Sequence, residues 1–418
     1  MASYLEQFDQ TPAGGRWRLV RRWMFEEPLP FYEELRLRRP ILEMPELTLV
    51  TRFNDCTRIL HRDDTFGVDL YKPKQGDYFM DQDDTAVHWR EKSIMKAILD
   101  FEQLPAIRGY VADKAAALLK QAGGAIEAVG GLTRAVPIAL VQDWFGFTDS
   151  DPKDLFEWSY WNQIDTFWNQ PFDSVAVPDQ DSIVKKREEA LKHMGAYLVG
   201  LVEKRAVELK LGVENSDPAT RLLRLSHSGG IKFDVERVVL NTGGLLIGAV
   251  ETTSHAAVNA LECLLASPSL FAEARAAAAL DQPQTFDGYV FEAMRFKPAF
   301  PYFFRTCHRP TVLSGGTEFA KEIQPGSTVL AVTHSAMFDP AVFPEPDRFN
   351  PARPLCDMFH FGYGSHECLG RAIGSLMIPE IVRQCVLLPD LRADGPVDYR
   401  GGPVPEAYQL RWSAAAVH

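Results

Sequence analysis

Apolar residues recur at helical spacing along most of the chain, and two patches alternate as strand residues do. Pro28 to Arg38 (PLPFYEELRLR) predicts a short amphipathic helix, and ILEMPELTLVTRF after it predicts two strands around Pro45. Asn54 to His61 predicts another helix, with Asn54 or Asp55 as its cap. Residues 65–84 are polar and irregular, a loop too short for an extra helix of its own. Helices are expected over 85–99, 106–123 and 130–147. Residues 152–168 concentrate Trp158, Tyr160, Trp161, Phe167 and Trp168, and a Pro- and Asp-rich loop, 169–181, separates them from a long charged amphipathic helix over 182–211.

The longest apolar-periodic stretch is Asp234 to Leu265, hydrophobic enough to require a path through the core. Glycines 243, 244 and 248, and Glu251-Thr252-Thr253 among apolar neighbours, run against that requirement. A mid-helix glycine costs ~1 kcal/mol against alanine, so some gain such as close ligand approach is expected. A buried acid beside hydroxyls costs more unless it is used or satisfied locally, and both readings stay open here. Phe286 to Phe296 predicts a helix, after which Phe300, Tyr302 and Phe303 fall on a strand. Residues 323–340 predict a hairpin around Pro325-Gly326, and 370–388 a helix ended or kinked near Pro379. The 401–412 tail predicts a last strand pair.

Composition narrows the class. The 418 residues are 46% hydrophobic and 24% charged, as in ordinary globular proteins, with no repeat and no low-complexity tract. A net charge of −12 leaves no electrostatic footprint for nucleic acid. Six cysteines (56, 263, 307, 356, 368 and 385) have no framework spacing and no C-x-x-C, which favours a reducing compartment. The N-terminal stretch has no apolar signal region and no run approaches ~18 apolar residues, so a cytoplasmic protein without a membrane anchor is expected.

Candidate chemistry centres on Phe361 to Arg371, FGYGSHECLGR. Cys368 lies in a glycine-rich turn, between Gly364 and Gly370, just before a predicted helix. Glycines allow φ > 0 and close approach to a bulky ligand, the free N–H groups of the turn can donate to a thiolate, and Phe361 can shield it from water. A small buried cysteine, or a zinc cluster of Cys356, His360, His366 and Cys368, are the competing readings of the loop alone.

F-x-x-G-x-x-x-C-x-G, met by Phe361, Gly364, Cys368 and Gly370, resembles the haem-binding loop of the haem-thiolate monooxygenases, the cytochrome P-450 superfamily. The resemblance implies a mainly α fold, a triangular prism of helices with a small β-rich lobe, one domain over 1–418. It implies haem b between the central helix and the cysteine loop, with Cys368 as axial iron ligand. His366 then contacts a haem propionate, as do Arg305 and the i, i+4 pair His88 and Lys92. Lys92 departs from the family's Arg, keeping the charge without the fork; a solvated surface pair is the bland reading.

G-A-V-E-T-T resembles the family's oxygen-binding stretch, so Gly248, Glu251 and Thr252 carry over as the widened turn and its acid–alcohol pair. Glu292 and Arg295 in EAMR, with Arg353 in PEPDRFNPARP, resemble the buried charge network of the family's proximal side, a structural role. The helix, hairpin and helix over 28–61 resemble its N-terminal part, and 65–84, 152–168 and 182–211 the lid over its substrate. Trp161, Phe167, Phe300, Tyr302 and Phe303 are then pocket candidates. The implied activity is oxidation of a hydrophobic small molecule by O2, with electrons from NAD(P)H. With no G-x-G-x-x-G and no cluster-binding cysteines in the chain, a separate ferredoxin or flavodoxin and reductase is implied. A haem-thiolate peroxygenase or hydroperoxide isomerase, needing no redox partner, and a non-enzymatic haem sensor or carrier are the rival functions.

Overall fold

The computed structural model describes residues 3–83, 85–175, 177 and 179–413. Asp84, at the end of the 65–84 loop, and Ala176 and Pro178, in the 169–181 loop, lie outside the described residues. The chain forms two compact units. The first comprises Met1–Trp89, Asn169–Gln180 and Phe300–Cys368; the second comprises Arg90–Trp168, Asp181–Ala299 and Leu369–His418.

In the first unit, two helices precede the predicted one. Tyr4–Gln10 starts at a capping box in which Ser3 and Glu6 satisfy each other's backbone N–H. Ala13–Glu26 buries Trp17, Val20, Trp23 and Met24 on one stripe. Its arginines hide that stripe in the sequence, and Arg21 is spent on an ion pair with Asp173 at 2.7 Å. Pro28–Arg38 is helical as expected, its Phe31 packing on Trp23 with ring centroids 5.2 Å apart.

A five-stranded sheet organises the rest of this unit, in the order Ile41–Glu43, Thr48–Val50, Thr328–Ala331, Phe303–Cys307, Phe66–Gly67. The first pair is the predicted hairpin, with Ile41 opposite Val50. Thr328–Ala331 lies parallel to Thr48–Val50 and antiparallel to Phe303–Cys307. The strands flanking Pro325-Gly326 do not pair with each other, contrary to the expected hairpin. Lys321–Ile323 pairs with Thr311–Leu313 in a separate two-stranded sheet. Gly326, at φ +82°, gives its N–H to the Cys307 carbonyl, so the turn hands the chain from the small sheet to the large one.

Three more local expectations are corrected here. Neither Asn54 nor Asp55 caps Phe53–His61: Asp339 accepts the Phe53 N–H at 3.0 Å, and Asp55 accepts the Ser314 N–H at 2.8 Å instead. The 65–84 stretch holds a strand, a short helix Lys72–Gln75 started by Pro73 and closed by Gly76 at φ +62°, and a 3-10 turn Phe79–Asp81. Of Phe300, Tyr302 and Phe303, only Phe303 lies on the strand.

The second unit is helical around the 235–265 segment, which is two helices and not one. Val235–Ala249 and Glu251–Leu265 meet at Val250, with φ −88° and ψ −70°. Pro283–Phe296 and Arg371–Val386 pack on its second half, Pro152–Gln163 and Pro218–His227 on its first. Pro218–His227 and Pro268–Ala278 escape the periodicity reading, although each opens with a capping side chain, Asp217 or Ser267, followed by proline at the first helical position.

Arg371–Val386 does not end at Pro379. Ile378, Ile381 and Val382 are buried, and that packing outweighs a proline cost of ~3 kcal/mol. Arg108 ties three helices of this unit together, meeting Asp287 through Nη1 and Glu380 through Nε, each at 2.9 Å. Glu91 likewise accepts from Arg237 and Asn241, both at 2.8 Å.

Two π-helical segments interrupt the pattern, Val129–Arg134 and Ile164–Trp168. The 401–412 tail does not form the expected strand pair among its described residues: Gln409–Arg411 is its one strand, pairing antiparallel with Arg392–Ala393 and with Ala125–Glu127. No helix among the described residues is long and apolar enough to cross a membrane.

Candidate functional site

Within the first unit, the cysteine loop is shaped by its backbone. Gly362 and Gly364 both take φ +73°, and a Cβ on Gly364 would meet the Leu60 carbonyl oxygen at 2.4 Å. The loop is pinned where the Cys368 N–H donates to the Phe361 carbonyl at 2.7 Å, so that N–H is not free for the sulfur. Gly364–His366 forms a 3-10 turn whose next residue, Glu367, donates back to the Gly364 carbonyl. Cys368 is exposed and Phe361 half-buried. Gly370 is the N-cap of Arg371–Val386 at φ −81°, so its glycine does not answer to a left-handed backbone. Among the described residues, Cys356, His360, His366 and Cys368 do not bring ligand atoms together, which removes the zinc reading.

Gly364→Ala is expected to cost at least the ~1–2 kcal/mol of a left-handed non-glycine residue, plus the clash with Leu60. Gly401→Ala is the matched control, since Gly401 has the same φ of +73° and open space around its Cβ position. Thermal melts of the two variants separate the close approach from the dihedral.

His88 is fully buried, its Nδ1 2.8 Å from the Phe79 carbonyl and its Nε2 3.1 Å from the Ser365 carbonyl. Its ring lies 4.8 Å from that of His366, so the structure brings these two predicted residues together. Arg305 is buried on the strand Phe303–Cys307, donating to the Phe304 carbonyl at 2.8 Å, with Tyr71 as its side-chain neighbour. Burial lowers its pKa, and no carboxylate among the described residues stands at ion-pair distance from it. Tyr71 is itself stacked on Phe304 at 4.3 Å. Phe300 and Phe303 stack at 6.4 Å, and Tyr302 is buried. Arg353 gives Nη2 to the carbonyls of Pro344 and Glu345 at 2.9 and 2.8 Å, bracing that turn.

Within the second unit, the break at Val250 places an acid and an alcohol side by side. The Thr252 hydroxyl donates to the Gly248 carbonyl at 2.6 Å, across the break. Glu251, only 4% exposed, opens the second helix. Arg134 reaches both of its carboxylate oxygens at 2.9 Å, through Nε and Nη2. The same guanidinium gives Nη1 to Glu406 at 3.2 Å, and Glu406 accepts the Tyr160 hydroxyl at 2.6 Å. Burial pushes the Glu251 carboxyl up to about 7; Arg134 opposes this and Glu406 adds to it. Arg134 and Glu406 are absent from the sequence expectation, which names Tyr160 only within the 152–168 aromatic cluster, and the one signal for Arg134 is its place inside the apolar run VGGLTRAVPIALV.

Lys92 lies on the helix Ala86–Ile98 and is buried, as is His88, so the solvated surface pair is excluded. Glu292 and Arg295 have no exposed side-chain surface and form a two-bond pair, 2.9 Å through Nε and 2.7 Å through Nη2. Trp161 carries the Lys186 ammonium 4.2 Å from its ring centre, and Phe167, in the Ile164–Trp168 segment, is half-buried.

The family model described as Cytochrome P450 matches residues 61–387. The chain belongs to that family, and it is a P450 monooxygenase, an oxidoreductase of a class that binds haem. Cytochrome P450 monooxygenase PikC of Streptomyces venezuelae is 26% identical over 316 residues, covering 74% of this chain and 68% of PikC. Cytochrome P450 CYP199A2 of Rhodopseudomonas palustris is 25% identical over 366 residues, or 84% of this chain and 82% of the relative. The structure of CYP109Q5 from Chondromyces apiculatus matches with a TM-score of 0.77 at 21% identity, over 94% of this chain and 97% of that one. The mainly α architecture with its small β-rich part is therefore the P450 fold.

Proposed function

We propose that the chain, as one functional domain over 1–418, inserts an atom of O2 into a hydrophobic small molecule, with NAD(P)H electrons reaching it through a separate ferredoxin or flavodoxin and its reductase. The observation that carries this reading is Cys368 on its loop, held by Gly364 against Leu60 and by the bond to the Phe361 carbonyl. Haem b, when bound there, supplies reductive activation of O2 at an iron whose thiolate ligand favours O–O cleavage. The residues present fit that group. Cys368, exposed on its loop, would offer the thiolate. In the first unit His88, His366 and Arg305, and in the second Lys92, are the proposed propionate contacts: among the described residues no carboxylate stands at ion-pair distance from the buried Arg305 guanidinium, which an anion would complete. Trp161, Phe167, Phe300, Tyr302 and Phe303 supply apolar contact to the substrate. A cytoplasmic setting agrees with six cysteines that lack any framework spacing.

Glu251 and Thr252 are the proton-handling pair. Thr252, with its hydroxyl anchored on Gly248, orients water at the break, and Glu251 donates protons toward it. The acid's position near 7 fixes the sign of the pH dependence: below this it is a neutral donor, above it a carboxylate held by Arg134. Proton-limited turnover is therefore expected to fall as pH rises through about 7.

Thr252→Ala is expected to bind haem and substrate and to consume NAD(P)H, but to release hydrogen peroxide instead of oxidised product. Glu251→Gln is expected to slow turnover by about 10²–10⁴-fold at proton delivery. Product formed per reducing equivalent measures both. Unchanged coupling in the two variants would overturn the relay and favour a peroxide-using enzyme.

A further inference from the structure

Two carboxylates share one cation in the second unit. Glu251 and Glu406 both lean on Arg134, and among the described residues no other basic side chain stands at ion-pair distance from either. With both acids ionised the group carries one excess negative charge, and the cost falls on Glu251, the more deeply buried of the two. Three separate elements meet on the guanidinium. Arg134 ends the π-helical Val129–Arg134 segment, Glu406 lies just before the last strand, and Tyr160 belongs to Pro152–Gln163. The rings of Phe156 and Tyr160 stand 4.7 and 5.5 Å from the guanidinium carbon. A surface cavity of about 430 Å³ reaches the same residue, lined by Lys114, Gly130, Arg134, Gln142, Lys153 and Phe156. An arginine does not itself pass a proton on, so a proton from that cavity reaches Glu251 only if the arginine changes partner.

We propose that Arg134, Glu406 and Tyr160 are positioning residues for proton delivery, and that Arg134, shared by the two carboxylates, passes from Glu251 to Glu406 so that Glu251 can take a proton from water in the cavity beside Arg134. In this step the Glu251 carboxylate gains a proton and becomes neutral, the water is left as hydroxide or a hydronium as water, and no electrons move. Tyr160 sets how strongly Glu406 competes, because its hydroxyl occupies the other Glu406 oxygen. The groups facing the array are these four residues, Lys114 and Lys153 in the cavity wall, and His255, one turn beyond Glu251, which is buried and stays neutral, its pKa lowered to about 3 by burial and then by Lys297 and Arg134.

The proposal rests on the relay reading of Glu251, and its test is separate from the coupling assay above. In the haem-loaded full chain, the infrared band of a protonated carboxyl that Glu251→Gln removes reports the Glu251 titration directly. Glu406→Gln takes away the competing charge, so the midpoint should fall by about one pH unit, a tenfold loss of proton affinity. Glu406→Asp should restore it. Tyr160→Phe leaves Glu406 to lean wholly on Arg134, so its midpoint should rise. Peroxide release measured against pH should shift in the same directions. A Glu251 midpoint that stays put in both Glu406→Gln and Tyr160→Phe overturns the proposal and leaves the array as a structural lock. If Glu406→Gln does not fold, the Tyr160→Phe result alone decides, because its loss removes one hydroxyl and no charge. Failure of the Thr252→Ala coupling assay would instead sink the relay while leaving the infrared shifts in place.

Discussion

Cys368→Ala abolishes the red-shifted Soret band of the reduced, carbon-monoxide-treated protein; this is the largest spectral effect expected of any single substitution here. The band reports a thiolate on the iron, and no other cysteine can take over. Cys56, Cys307 and Cys385 are buried, with thiols raised by burial, Cys385 to about 12. Cys263 is raised to about 11 by burial and then by Glu292. Cys356 is exposed on the Leu355–Asp357 turn, outside the pinned loop, so Cys356→Ala should leave the band intact. Difference spectra of the two variants beside wild type make the comparison. A band that survives in Cys368→Ala, or one zinc per chain in place of haem, would remove the ligand assignment.

Glu292→Ala and Arg295→Ala are each expected to yield little or no folded holoprotein. Neither side chain has any exposed surface, and each uses the other for two charge-assisted bonds. Removing one partner strands the other charge in the interior at roughly 3–5 kcal/mol, comparable to the whole stability of many proteins. The effect should register as loss of expression, of haem content and of cooperative melting together. A mutant of normal haem content and melting temperature would mean that the pair is not the buried lock its geometry describes.

The cysteine loop and the acid–alcohol pair were legible because each breaks a local rule. A glycine-flanked cysteine and an acid in an apolar helix stand out against their neighbours without knowledge of the fold. Glu292 and Arg295 break no local rule, and only their position between the two and the family resemblance singled them out. What stayed hidden follows from long-range geometry. Arg134 reads as one charge in an apolar run, and Glu406 sits in a tail of turn residues 272 positions away. The Phe303–Cys307 strand sits between Thr328–Ala331 and Phe66–Gly67, partners that alternation cannot name. At Pro379 the sequence signal was real, but burial on both sides overrode it. The second helix, Ala13–Glu26, was missed because four arginines, at 16, 18, 21 and 22, mask its buried Trp17 and Trp23.

The π-helical stretch Val129–Arg134 bears on how this chain tolerates insertions and deletions. A π turn amounts to one surplus residue accommodated in an α-helix, held against a less favourable hydrogen-bond pattern. Excising a single residue there, Gly131 for instance, would let the helix rewind to regular α geometry with little offence to its backbone. Each α residue turns the helix by about 100°, so the side chains before and after the excision would change their relative facing by that amount. Anchored by Ala135–Asp143 on one side and the Ala125–Glu127 strand on the other, the segment could not keep both its strand register and the aim of Arg134 at Glu251. A length change that the backbone itself would welcome is thereby forbidden by one guanidinium.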